Sequence, residues 1–150
     1  MKKVLIALDY GLSAQKIAEK GVELASSMNA KVTLLHVVAE EGYYSSMDSA
    51  PFMGFYGYNF FNMIDSPSLI GSSLNFLKKI KEHLKNSEIE IQAVAGDFAT
   101  VILETSQHFD MVVLGAHSHN WLEKAVMGSV TESVLAKTKI PLFIIPINEH

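Results

Sequence analysis

The chain has 150 residues, 49% of them hydrophobic, and a formal charge of −4 from 12 basic against 16 acidic residues. That length suits one domain with a core of its own, and the mild negative charge argues against electrostatic binding to nucleic acid or anionic membrane. With no cysteine in the chain, disulfides, iron–sulfur clusters and thiolate zinc sites are excluded.

Lysines precede an apolar run at the start, but Asp9 interrupts it and no small-residue cleavage site follows. A first strand, Lys3 to Leu8, is therefore predicted rather than a leader. It is apolar on both faces, as a central strand covered by helices on two sides should be. No apolar stretch approaches the roughly 20 residues needed to span a membrane, so a soluble, cytoplasmic protein is expected. The strand stops at Asp9-Tyr10-Gly11, and Ser13 is placed to cap a helix running to about Met28. Ile17, Val22, Leu24 and Ala25 are among its core-facing residues. Asn29-Ala30 ends it, and Val32 to Val38 reads as a second buried strand.

From Ala39 to Pro67 periodicity is lost, and most of the aromatics stand here among Gly, Ser and Pro. Two roles are open for this insert: an excursion folded over its own domain, or a lid or subunit contact. Helical spacing resumes at Ser68, with Leu69, Leu74, Leu77, Ile80 and Leu84 as the buried stripe beside a solvated, lysine-rich face. From Ser87 to Val94, Ile89, Ile91 and Ala93 alternate with Glu88, Glu90 and Gln92, which predicts an edge strand or one with a polar face. Gly96-Asp97 turns the chain, and Asp97 is a candidate cap for a helix to about His108. Met111 to Leu114 is another buried strand, ended by Gly115, whose backbone freedom suits a sharp turn. A loop with His117 and His119 leads to Gly128-Ser129 and a helix to about Lys137. Pro141 introduces a last strand, Leu142 to Ile145.

Strands alternating with helices imply a parallel sheet with helices on both faces. Five strands and four helices fill the chain, with no internal repeat. Ligands of such sheets sit beyond the carboxyl ends of the strands, where strand order reverses. Asp9, Val37-Val38 and Gly115 all follow or end strands, and they converge on one crevice if the first and fourth strands are neighbours. A strand, a small-residue turn and the glycine-led helix start at Ser129 together make a phosphate cradle.

These residues resemble the universal stress protein family. Its nucleotide-binding members carry a glycine, two residues, a glycine, nine residues, then glycine and serine or threonine. Here Gly115-Ala116-His117 leads to Ser118, nine residues run from His119 to Met127, and Gly128-Ser129 follows. Ser118 stands where the second glycine is usual. A positive φ there would strain the loop by roughly 1 kcal/mol; otherwise its hydroxyl is a phosphate donor. Further similarity lies in Asp9 with Ser13 four residues on, in Leu34-Leu35-His36-Val37, in Gly96, and in Lys139-Ile140-Pro141-Leu142. It covers nearly the whole chain, the insert excepted.

The resemblance implies a single open five-stranded parallel sheet of order 3-2-1-4-5, of the adenine nucleotide alpha hydrolase-like kind, commonly dimerising through the last strand. It implies ATP or another adenine nucleotide in the crevice, with magnesium or manganese a reasonable companion. Carried over by position, Asp9 and the backbone of Ala7 and Val37 hold adenine and ribose. Gly115, Ala116, His117, Ser118 and His119 wrap the phosphates, and Gly128, Ser129, Val130 and Thr131 supply N–H and hydroxyl donors.

Each residue also has a plainer role. Asp9 is either a ribose or metal ligand or a capping carboxylate. His117 and His119 have the spacing of metal ligands but no evident third partner, and His36 reads as a hydrogen-bonded core residue. Trp121 and Leu122 are expected to pack the loop. Ser129 is helix cap and phosphate donor at once. Phe143 and Ile145 fill the core or offer an open edge to a second copy, and the dimer is favoured. Two functions follow: a nucleotide-dependent stress or signalling module, or a homodimeric interaction protein of the same fold that binds no nucleotide. No triad, paired carboxylates or P-loop lysine is present, so slow ATP hydrolysis at most is expected.

Overall fold

The computed structural model describes residues 2–9, 11, 13–39, 69–117 and 129–147. Nine elements alternate along them: β1 Lys3–Leu8, α1 Ala14–Ser27, β2 Lys31–Val38, α2 Leu69–Leu84, β3 Glu90–Ala95, α3 Phe98–Ser106, β4 Met111–His117, α4 Ser129–Lys137 and β5 Leu142–Ile147. The strands form one parallel sheet in the order β3-β2-β1-β4-β5. This is the expected order, with β1 beside β4. Most of the insert expected at 39–67 and the loop containing Ser118, His119, Trp121, Leu122 and Gly128 lie outside the described residues.

Side-chain alternation in the strands divides the core into two layers. Val4, Ile6 and Leu8 of β1 pack with Ile17, Ala18 and Ala25 of α1 and Leu77 and Ile80 of α2. On the opposite face Leu5 meets Val101 and Ile102 of α3 and Val134 of α4. Helices on both faces explain why the central strands are apolar throughout rather than alternating. The outer strand β3 is different: Glu90 and Gln92 are exposed and its Ile91 and Ala93 half-buried, as the alternation predicts.

Helix ends follow local chemistry. The Asp97 carboxylate accepts from the Thr100 N–H at 3.1 Å and from the Thr100 hydroxyl at 2.8 Å, so it caps α3 as predicted. These bonds hold its carboxyl below the usual aspartate range. Ser13 occupies the corresponding place before α1 but makes no capping side-chain bond, contrary to expectation. Asn29, with φ of 55°, ends α1 as an amide residue tolerates, and Ala30 N–H donates back to Ala25 at 2.9 Å.

The buried stripe of α2 runs through Leu77 and Ile80, with Leu69 and Leu84 flanking it. Leu74, expected in that stripe, is 37% exposed, and Ser73 is fully buried instead. Ser73 hydrogen bonds through its hydroxyl to Nδ1 of His36, which is also fully buried. The ring of Phe76 meets the imidazole edge-on, with centroids 5.5 Å apart. His36 is thus the hydrogen-bonded core residue expected, and burial pushes its pKa down to about 3.

Candidate functional site

Among the described residues, the strands part at one place along the carboxyl edge of the sheet. β1 stays paired with β2 as far as Leu8 and His36, and β4 with β5 as far as His117 and Ile147. Between β1 and β4, however, the ladder ends at Ile6 and Val113. Two residues of β1 and four of β4 continue beyond that last pair. At the opposite end the same two strands are clasped: Asp110 N–H donates to the Lys3 carbonyl at 2.8 Å, and Lys3 N–H donates to the Asp110 carboxylate at 2.8 Å. The strands are tied at the foot and part at the top. This is the point where strand order reverses, the place where open α/β sheets receive ligands.

Ala7 stands on β1 just past the last pair and is half-buried against the α3/α4-side cluster. Val37 belongs to that cluster, and Val130 of α4 packs on it. The structure therefore brings Ala7, Val37 and Val130 to one face. Gly115, Ala116 and His117 form the stretch of β4 that runs past the split, with Leu114 before them. Ser129 opens α4 and Thr131 is buried in its first turn. Asp9 follows β1, and one of its carboxylate oxygens accepts from the Gly11 N–H at 2.8 Å. That bond is a local turn of the kind aspartate favours, so the capping role is realised. Ser118, His119 and Gly128 fall outside the described residues.

Gly115 departs from its expected role. It does not end the strand; β4 runs on to His117, and Gly96, at φ of 148°, is the described glycine with a positive φ. What position 115 requires is the absence of a side chain. A β-carbon there would collide with Cδ1 of Ile17 and stand 2.9 Å from Cδ1 of Ile147. Gly21 answers this contact from α1, where a β-carbon would come within 2.6 Å of Cδ1 of Ile6. Through these two close approaches α1 is seated across β1 and β4, and Ile17 covers the α1 side of the split.

Ile17 read from the sequence only as a core residue. Leu69 and Ile70 were missed as neighbours of the crevice: they head α2 yet pack against the cluster holding Val37 and Val38, while Leu77 and Ile80 sit in the other layer. Two adjacent apolar residues, one of them out of phase with the stripe, were the available signal. Among the described residues no three His, Cys, Asp or Glu side chains gather as metal ligands, and no helix is long and apolar enough to cross a membrane.

Comparison with known proteins gives this geometry a context. The model of the universal stress protein family matches residues 1–54 and 67–146. The chain is 26% identical to universal stress protein MJ0577 of Methanocaldococcus jannaschii over 96% of its own length and 94% of that protein's. Superposed on the solved structure of MJ0577, it gives a TM-score of 0.68, with 99% of this chain and 98% of the other covered. It is 23% identical to the stress response protein NhaX of Bacillus subtilis, covering 95% and 96% of the two chains. A universal stress protein solved in complex with cAMP shares the fold at a TM-score of 0.61 and 16% identity, over 96% and 95% of the chains.

Proposed function

The chain belongs to the universal stress protein family, and we propose that it is a stress-response protein that binds an adenine nucleotide, ATP foremost, as a nucleotide-dependent regulatory module. The observation that carries this reading is the parting of β1 and β4 beyond Ile6 and Val113. Ala7 and Ala116 extend a single carbon each beside that split, leaving the backbone within reach of a flat base or a phosphate. In this reading Asp9 and the backbone of Ala7 and Val37 take adenine and ribose. Gly115, Ala116, His117, Ser118 and His119 wrap the phosphates, with Gly115 acting through its backbone because Ile17 fills the space of its missing side chain. Gly128, Ser129, Val130 and Thr131 donate N–H and hydroxyl groups at the start of α4, where the helix dipole favours an anion. Magnesium or manganese accompanies the triphosphate. The relative held in complex with cAMP supports the ligand class through the shared fold.

The module works in the cytoplasm as a homodimer through β5. That strand is an outer one, and Phe143 on it and Leu135 on α4 are 42% and 47% exposed, apolar surface suited to a second copy. No catalytic residue is assigned, and hydrolysis is slow at most. Titrating nucleotide-stripped protein with ATP, ADP and AMP tests the reading. Saturable binding to one site per chain is expected, and no binding at millimolar nucleotide would overturn it in favour of an interaction protein of the same fold.

A further inference from the structure

The edge of the sheet opposite β5 leaves backbone groups open. Gly96 N–H donates to the Val38 carbonyl at 2.9 Å, so Gly96 turns its backbone toward β2. Successive residues of a strand turn theirs to opposite sides. Glu90, Gln92 and Val94 therefore also face β2, while Ile91, Ala93 and Ala95 direct N–H and C=O outward. Among the described residues nothing pairs with that side of β3. Strand edges are commonly blunted by proline, by lysine or by shortness, yet β3 has six residues and neither proline nor lysine among them. The side chains of Ile91 and Ala93 lie in the layer under α1 and α2, and Glu90 and Gln92 are exposed on the other face.

The helix α2 packs over β2 and β3, and its two flanks differ. Phe76 meets His36 of β2 and His83 reaches Glu19 of α1 at 2.9 Å, so that flank looks inward over the sheet. Helical spacing puts Leu74, Lys78 and Lys81 on the opposite flank, above the open side of β3, and Lys85 follows just past the helix end. Leu74 is 37% exposed, Lys78 is exposed and Lys81 half-buried. Among the described residues neither lysine takes part in an ion pair.

We propose that the outer edge of β3 and the lysine flank of α2 form a docking site for an extended acidic peptide, which adds to the sheet as a further strand. Ile91, Ala93 and Ala95 supply the backbone pairing. Same-face residues of an added strand repeat at about 6.6–6.8 Å, twice the rise per residue. Lys78 and Lys81 follow Leu74 in steps of about 6 and 4.5 Å along the helix axis. Alternate carboxylates of the peptide thus come within reach of successive lysines, with an apolar residue beside Leu74. The remaining residues lie on the face of Glu90 and Gln92, where uncharged side chains such as threonine are suited. A second copy of this chain is a poor occupant. Antiparallel pairing of two β3 strands about a two-fold axis would put both α2 helices on one face, lysine flank against lysine flank. The lysines oppose self-pairing and favour an acidic partner. Nucleic acid would meet the lysines but has no peptide groups to pair with the edge. The site is separate from the crevice and does not depend on nucleotide.

The test uses the full chain and a fluorescein-labelled peptide with leucine at each end, glutamate at alternate positions between them and threonine at the rest. Fluorescence anisotropy should show saturable binding, and hydrogen exchange read by NMR should slow at the Ile91, Ala93 and Ala95 amides. The same peptide N-methylated at every residue, which has no donors for the edge, should not bind. Lys78→Glu should weaken binding about fivefold or more, whereas Lys79→Glu, an equal change of charge on the flank of His83, should leave it within about twofold. Both positions are exposed, so both variants should fold. No peptide bound, equal binding of the N-methylated form, equal effects of the two variants, or tighter binding of an oligouridylate than of the peptide would each overturn the proposal. So would slow exchange at the three edge amides in the free protein, which would mean that the chain itself or a second copy already covers them.

Discussion

Ile17 of α1 stands over Gly115 of β4, its terminal carbons filling the space a β-carbon at residue 115 would take. The contact seats α1 on the fourth strand just where that strand has left β1, so the crevice is backed by a helix on one side. Gly115→Ala should therefore destabilise the fold by about 1–3 kcal/mol, the usual result of overpacking a tight core. Ile17→Val removes the colliding Cδ1 and should recover part of that loss in the double variant. Denaturant midpoints of the four proteins check it; additive losses would show that the two residues do not share one space.

His36 makes stability depend on pH. Its pKa falls from 6.5 to about 3 on burial, so the unfolded chain takes up a proton that the folded chain refuses. The stability is fully present above pH 6.5 and is lost as pH falls from there toward 3. The slope is at most about 1.4 kcal/mol per pH unit. Urea denaturation between pH 7.5 and 4.5 should show this slope in the parent and its loss in His36→Asn; equal slopes would contradict it.

Asp97 and Ser13 form a contrasting pair. Asp97→Ala removes the bond to Thr100 N–H and should cost about 1 kcal/mol, while Asp97→Asn retains most of it. Ser13→Ala removes no capping bond and should be nearly neutral. Guanidinium titrations of the three variants read the difference directly.

The β3 edge, the apolar central strands and the Asp97 cap were legible because each depends on neighbours in the sequence: alternation, composition and a cap three residues from its partner. Positions decided by distant contacts were not. Ser73 fits the stripe of Leu69, Leu77, Ile80 and Leu84 better than Leu74 by helical spacing, yet a serine in a core stripe makes sense only once His36 is found beside it. Gly115 read as a turn because a glycine signals either backbone freedom or a missing side chain, and only Ile17 decides between them. Asp9 and Val37 were correctly read as strand-end positions, since runs of apolar residues mark where strands finish. The parting of β1 from β4 was not readable, because register between distant strands leaves no local trace.

Phe143→Lys tests the proposed dimer. A charge on the outer strand should oppose edge-to-edge association, leaving a folded monomer with unchanged circular dichroism. Sedimentation equilibrium of parent and variant decides it: a parent that is monomeric, or a variant as dimeric as the parent, would contradict pairing through β5.

Whether the split between β1 and β4 holds an adenine nucleotide is decided by what the protein carries. Gently purified protein is denatured and the released small molecules identified by mass spectrometry, with Ala116→Leu, which fills the split, purified in parallel. ATP or another adenine nucleotide near one per chain in the parent, and strongly reduced in Ala116→Leu while its fold is retained, is the predicted result. A parent that releases no adenine nucleotide and shows no thermal shift with ATP and magnesium would contradict the account.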